Sequence, residues 1–321
     1  MIKELFVTAA LVLTSVVAVD AGESVIPPTP VGGTDIGQAI LPPPGLYGGM
    51  GVLPFDRTEQ FRGFDAQPVS ASVNLRLPHD EVVAAGLLYT YPFEVFGGSI
   101  ASSIQAAFYN ICFDFGFEVK VGCVGGLADT YSDLFYWSKN VGLVGVTPGN
   151  LQLPYGLYVA GGFAMKAPTG LYKATNFINP GANLWLAIPN LAVTYTTGPN
   201  WSLGDSTEIS GRLFFGVPFQ NPATLYTSGN VLDLDWSVTQ LFGNLRVGVA
   251  GYYETQVSND TLNGVYQPHG GQFTGAAIGP ILEYIFPDSG VAIKAKYLRS
   301  FYARNNIDLQ FLALSIAMKL Y

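Results

Sequence analysis

From about residue 45 to residue 321 the chain alternates between apolar residues and polar or small ones, in segments of roughly ten. In the final run Leu312, Leu314, Ile316, Met318 and Leu320 share one parity, and Ala313, Ser315, Ala317 and Lys319 the other. Over 245–257, Leu245, Val247, Val249, Tyr253 and Val257 oppose Arg246, Tyr252, Glu254 and Gln256. Just before it, Leu232, Leu234, Trp236 and Val238 oppose Asp233, Asp235, Ser237 and Thr239. Ile209, Leu213, Phe215 and Val217 against Glu208, Ser210 and Arg212 repeat the pattern, as do Leu157, Val159, Phe163 and Met165 against Tyr158, Ala160 and Lys166. Val291, Ile293, Ala295 and Tyr297 oppose Lys294 and Lys296. A period of two is that of strands with one apolar face; helical spacing accounts for none of these runs as well.

Gly243-Asn244 between two such runs suits a two-residue hairpin turn. That loop length sets the register. Odd positions of the first strand then face even positions of the second, so Asp233 and Asp235 share a face with Tyr252 and Glu254, and both apolar faces coincide. The same register puts Asp233 opposite Glu254. Directly opposed like charges are destabilising, so a cation is expected nearby. Arg212 on the preceding strand is the candidate, with a bound metal ion as the alternative.

The count is about twelve strands, near 45–56, 68–78, 100–114, 129–138, 156–167, 184–197, 206–218, 230–241, 244–257, 273–286, 290–303 and 307–321. An even count puts both chain termini on the periplasmic side. Turns near 242–244 and 287–290 are short and the 258–272 loop is long and polar, as such a barrel requires. The stretches 79–99 and 139–155 are long where short turns are due, and one of them is either an extra hairpin, giving fourteen strands, or part of an internal plug.

Composition narrows the class. The chain is 49% hydrophobic and only 12% charged, with 38 glycines, 18 tyrosines and 21 phenylalanines. That mixture suits a transmembrane barrel with aromatic girdles. Residues 1–21 read as a cleaved signal peptide: Lys3, then an apolar run from Leu5 to Val19 too short to span a bilayer, then small residues before Gly22. That segment carries one cation and two anions, so its removal takes the net charge from −8 to −7. The acidity argues against nucleic acid as a partner. Residues 22–43 form a Pro/Gly-rich lead-in without a pattern, and 44–321 the barrel. Cys112 and Cys123, in an exported chain, favour one disulfide. His79 and His269 are the only histidines, and no metal-ligand spacing appears, so neither a metal nor another cofactor is expected.

At this level the chain resembles the outer-membrane proteins of the phenol meta-pathway (MetA-type) degradation family. The likeness rests on an ordered set across about residues 42–321. It includes Pro43-Pro44-Gly45-Leu46-Tyr47, Gly126-Leu127-Ala128-Asp129, Ala167-Pro168-Thr169-Gly170-Leu171-Tyr172, Asn183-Leu184-Trp185 and Val193-Thr194-Tyr195. Its densest part is the run from Val247 to Asp260, followed by Ala277-Ile278-Gly279-Pro280. The resemblance implies a barrel in the outer membrane of a Gram-negative bacterium and a transport role toward hydrophobic aromatic compounds.

The expected fold is therefore all-β, a transmembrane antiparallel up-and-down barrel surrounded by outer-membrane lipid. If the apolar faces meet lipid, the lumen is lined by Glu208, Arg212, Asp233, Asp235, Arg246, Tyr252, Glu254, Gln256, Lys294 and Lys296. Polar lumens are general in barrels, so these residues either line a path or merely pack the inside. The loop at 169–182 carries Leu171, Tyr172, Phe177 and Ile178, which either form an apolar entry or pack against the rim. The leading function is a channel for passive diffusion of small hydrophobic or aromatic solutes. A lipase- or phospholipase-like barrel enzyme would need a histidine base in a nucleophile motif, which neither His79 nor His269 offers. A structural or adhesion barrel without cargo is the other alternative. Sequence leaves the oligomeric state open.

Overall fold

The computed structural model describes residues 29–68, 76–114, 122–142, 155–176, 178–197, 203–267 and 272–321. The expected signal peptide, the Phe177 of the apolar loop and His269 lie outside these residues. Among the described residues there is no helix.

The strands are β1 (Gly45–Arg62), β2 (Arg76–Val95), β3 (Gly98–Asp114), β4 (Gly122–Leu127), β5 (Thr130–Asn140), β6 (Gly156–Ala167), β7 (Leu186–Thr196), β8 (Ser206–Pro218), β9 (Tyr226–Thr227), β10 (Val231–Phe242), β11 (Leu245–Gln256), β12 (Thr261–Leu262), β13 (Val265–Tyr266), β14 (Thr274–Ile285), β15 (Ala292–Arg304) and β16 (Asn306–Lys319). Each long strand pairs antiparallel with its sequence neighbour, and β1 pairs with β16, so the sheet closes. β4 and β5 both pair with β3 and are one strand interrupted at Ala128-Asp129. The barrel has twelve strands, and the fourteen-strand alternative falls away. Short β9, β12 and β13 form a separate small sheet in the loops.

Alternation decides the two faces. Along β10 and β8 every second residue is buried: Val231, Asp233, Asp235, Ser237 and Thr239; Ser206, Glu208, Ser210 and Arg212. The intervening Leu234, Val238, Ile209 and Leu213 are exposed, as are Val83, Leu87, Leu191, Val193, Ile278, Leu282 and Leu314 elsewhere. This is an inverted protein, with an apolar outer band and a polar interior, as lipid on the outside demands. Trp185, Phe219 and Tyr253 mark one rim of the band, and Tyr195, Phe242, Tyr284 and Phe286 the other.

The β10–β11 hairpin has the register that its turn requires: Phe242 pairs with Leu245, and Asp233 with Glu254. Only Gly243 of the two turn residues has positive φ, at 59°, the requirement of a type II′ turn. Two expectations need correction. The second strand is not 68–78 but β2, Arg76–Val95, so 79–99 is a strand followed by a tight turn at Phe96-Gly97 and not a long connection or plug. Sequence hides it because Val82, Ala84 and Leu88 on its inner face are as apolar as Val83, Leu87 and Tyr89 outside. The 139–155 connection does remain long, since β5 ends at Asn140 and β6 begins at Gly156.

Cys112 and Cys123 are disulfide-bonded directly across the β3–β4 ladder.

Candidate functional site in the barrel lumen

From Thr29 the lead-in runs inside the barrel. Asp35 and Ala39 are fully buried, and the segment is held by side chains from five strands. Asp235 on β10 accepts the backbone N–H groups of Gly32 and Thr34, both at 2.7 Å. Glu208 Oε1 on β8 accepts Gly37 N–H at 2.7 Å, and Ser210 Oγ accepts Gln38 N–H at 2.9 Å. Thr194 Oγ1 on β7 accepts Ala39 N–H at 3.0 Å. In return Tyr136 on β5 donates to Gln38 O at 2.6 Å, and Ser237 donates to Asp35 O at 2.9 Å. Gly32 and Gly37 both have positive φ, which lets the segment turn its amides toward the wall. Val31 and Ile36 pack against the apolar cluster of Tyr252, Leu298 and Phe311.

Two ammonium groups clamp the segment's one described acid. Lys294 Nζ lies 2.6 Å from Asp35 Oδ1, and Lys296 Nζ 2.8 Å from Oδ2. Lys296 also donates to Gly32 O at 2.5 Å. Burial by itself raises the Asp35 pKa, but the two lysines outweigh it and hold the carboxyl well below the usual carboxylate range.

Arg212 does not neutralise the Asp233–Glu254 pair. Its guanidinium reaches the other way, to Asp133 Oδ1 at 2.7 Å and Asn190 Oδ1 at 2.8 Å, and stacks between the rings of Tyr136 and Phe214. Its position opposite Asp235 is the one the register assigns, but the long side chain finds a bidentate, aromatic-walled seat across the lumen. Asp133 also receives the hydroxyls of Tyr131 and Ser103. Arg246 pairs with Glu208 at 2.8 Å and approaches Glu283 at 3.7 Å.

The opposite side of the lumen is small and apolar. Gly51, Ala84, Ala107 and Ala313 face a cavity of about 460 Å3. It lies between the lumenal segment at Thr29–Asp35 and strands β1, β2, β3, β15 and β16. Val31, Val52, Leu53, Val82 and Leu309 add aliphatic wall; Asp35, Asp129, Lys166, Glu254, Lys294 and Lys296 are its charged lining residues. From the loop after β6, Ile178 and Pro180 also line it. Ile178 is buried, whereas Leu171 is half exposed, and the Tyr172 hydroxyl accepts a hydrogen bond from Asn221 at 2.9 Å.

A model of the family described as "Putative MetA-pathway of phenol degradation" matches residues 81–315. The chain belongs to that family. Among solved structures, an outer membrane channel from Pseudomonas putida F1 superposes with a TM-score of 0.70 at 13% identity, over 89% of this chain and 99% of that one. At that identity the likeness speaks for the fold. The β domain of the Bordetella autotransporter BrkA reaches a TM-score of 0.48 at 11% identity, over 87% of this chain and 100% of its own. No curated protein matches the chain. The family member is thus a bacterial outer-membrane β-barrel.

The barrel brings Glu208, Asp235, Lys294 and Lys296 together around the lumenal segment, Arg246 onto Glu208, and Tyr252, Glu254 and Gln256 onto the wall beside Asp233. Sequence reasoning missed Asp35, Asp133 and Asn190. Asp133 sits just before a β-bulge between Asp133 and Phe135 that exposes both Leu134 and Phe135, which breaks the parity by which it would have been found. It is the one acid inside β5, the one signal available. Asp35 sits in a segment whose contacts are made largely by backbone amides and so leave no side-chain pattern.

Proposed function

We propose that this family member is a plugged channel that admits small hydrophobic or aromatic compounds by passive diffusion along the cavity beside its lumenal segment. The observation that carries the reading is the cavity's lining. A volume of about 460 Å3 falls within the range of small-molecule sites, roughly 300–1,000 Å3, and its wall is mostly aliphatic or small. Glu208, Asp235, Lys294, Lys296 and Arg212 are instead committed to the segment or to other side chains of the wall, so an apolar solute meets few groups that need water.

A seam in the wall supports the same reading. β1 and β2 pair from Gly45↔Thr90 only as far as Leu53↔Val82, although β1 continues to Arg62 and β2 begins at Arg76. Pro54 and Pro78, which have no N–H to give a ladder, lie next to register shifts toward the outer neighbours β16 and β3. Leu53 and Val82 end the ladder and also line the cavity. The seam offers an apolar solute a route between cavity and bilayer.

Gly51 provides the test. A Cβ built there meets nothing nearer than 3.5 Å, so the first atom of a side chain is accommodated without displacing the wall. Gly51→Phe should leave the heat-modifiable mobility of the folded barrel intact. Uptake of a labelled aromatic hydrocarbon by cells with an intact lipopolysaccharide leaflet should fall to near the barrel-free level, while Gly51→Ala keeps most of it. Unchanged uptake in Gly51→Phe would remove the cavity from the path.

A further inference from the structure

The polar wall contains one group of oxygens that neither the segment nor the other charges satisfy. Asp233 and Glu254 face each other directly across the β10–β11 ladder, and both are almost wholly buried. Neither takes part in an ion pair among the described residues. Both Asp233 carboxylate oxygens lack a hydrogen-bond donor, as does Glu254 Oε2; Glu254 Oε1 receives only the Asn306 amide, at 2.9 Å. Two further buried oxygens belong to the same patch. Gln256, two residues beyond Glu254 on the same face, directs its Nε2 outward to Ser258 O at 2.8 Å and Asp260 Oδ1 at 2.7 Å. Its Oε1, on the other side of that planar amide, has no donor. The Thr29 hydroxyl, from the lumenal segment, faces Asp233 without hydrogen-bond geometry to it and is also unpartnered.

From this we propose that Asp233, Glu254, Gln256 and Thr29 form a binding site for a hard divalent cation of the calcium type. The donors are all oxygens: two carboxylates, an amide carbonyl and a hydroxyl. That is the set Ca2+ takes, with water completing its coordination. Glu254 and Thr29 both border the cavity, which gives water and ion access. The charge also balances, since a divalent ion neutralises two carboxylates that otherwise repel across the ladder. A single proton shared by the two acids leaves the Gln256 carbonyl unsatisfied. Because Thr29 lies on the segment and the other three on the barrel, the ion ties one to the other, whatever solute passes beside them.

The test is calorimetric titration of the folded full-length mature protein in detergent, stripped with EGTA, using CaCl2 and then MgCl2. One saturable Ca2+ site is expected, with Mg2+ weaker because it demands tighter octahedral geometry. The charge-removing, isosteric pair Asp233→Asn with Glu254→Gln should weaken Ca2+ binding at least about tenfold. Thr29→Val, on the segment and outside the barrel wall, should weaken it several-fold and carries the test if the double variant fails to fold. Absence of saturable Ca2+ binding would overturn the site in favour of a shared proton. Affinity left unchanged by the double variant, or by Thr29→Val where the double variant does not fold, would place the ion elsewhere and overturn it equally.

Discussion

Replacing Asp35 with Asn should free the lumenal segment while sparing the barrel. The substitution keeps the shape of the side chain but removes the charge between Lys294 and Lys296, which lie 2.6 and 2.8 Å away. Breaking a buried ion pair by removing one partner costs about 3–5 kcal/mol. The lower end applies, because Glu283 still acts on Lys294 and Asp235 on Lys296. About 3 kcal/mol corresponds to a roughly 150-fold rise in the undocked population. The readout is a thiol at Ala39, which is fully buried in the docked segment. The chain's two cysteines are bonded to each other, so Ala39→Cys supplies the single reactive thiol. With opening in rapid pre-equilibrium, labelling by a polar maleimide should run about two orders of magnitude faster in the Asp35→Asn background. A rate within about threefold of the parent, less than 1 kcal/mol by the same conversion, would mean that the lysine clamp contributes nothing to docking.

The remaining expectations concern pH, the Arg212 seat and the hairpin turn. Because the Asp35 pKa is lowered by docking, its contribution is fully present above the unfolded value of about 3.9 and is lost as pH falls toward the docked value. Conductance through a released lumen should therefore stay at its neutral-pH level down to about pH 4 and rise only below it; a rise already near pH 6 would refute the clamp. Arg212→Ala strips Asp133 of its cation and should lower barrel stability by about 3–5 kcal/mol in urea unfolding, and Arg212→Lys should recover only part, lacking the fork that holds Asn190 and Asp133 together. Gly243→Val puts a β-branched residue at φ 59° with nothing within 4 Å of its Cβ. The cost should be about 1–2 kcal/mol of backbone strain alone, seen as a lower unfolding midpoint that Gly243→Asn largely avoids.

How far the sequence could be read depended on whether a residue's role is visible in its own parity. The pairing of Asp233 with Glu254 follows from two turn residues and the rule of alternation, and the barrel's polar and apolar faces follow likewise over β8, β10, β11, β15 and β16. Where both faces are apolar, as along β2, alternation vanishes and the pattern sets the strand too early. Where a bulge resets the parity, as at Asp133, a lumenal acid escaped. The lumenal segment was illegible for a different reason. Its amides from Gly32 to Ala39 are the groups that bind, and a backbone N–H leaves no mark in a list of side chains.

That segment changes the character of the lumen more than it obstructs it. A polar barrel interior without it would present Asp235, Glu208, Lys294 and Lys296 to water and conduct ions, as wide polar lumens do. With it docked, Asp235 is occupied by two amides, Glu208 by one amide and Arg246, and the two lysines by Asp35. Charge that would otherwise hold water is consumed internally, and the space left over lies against glycine, alanine and aliphatic walls. On the proposed reading, selectivity for apolar solutes thus arises from the segment rather than in spite of it. The consequence separates this arrangement from a simple gate: releasing the segment by Asp35→Asn should raise ion conductance without raising uptake of an aromatic hydrocarbon. A parallel rise in both would mean that the segment only blocks, and that the apolar wall contributes no selectivity of its own.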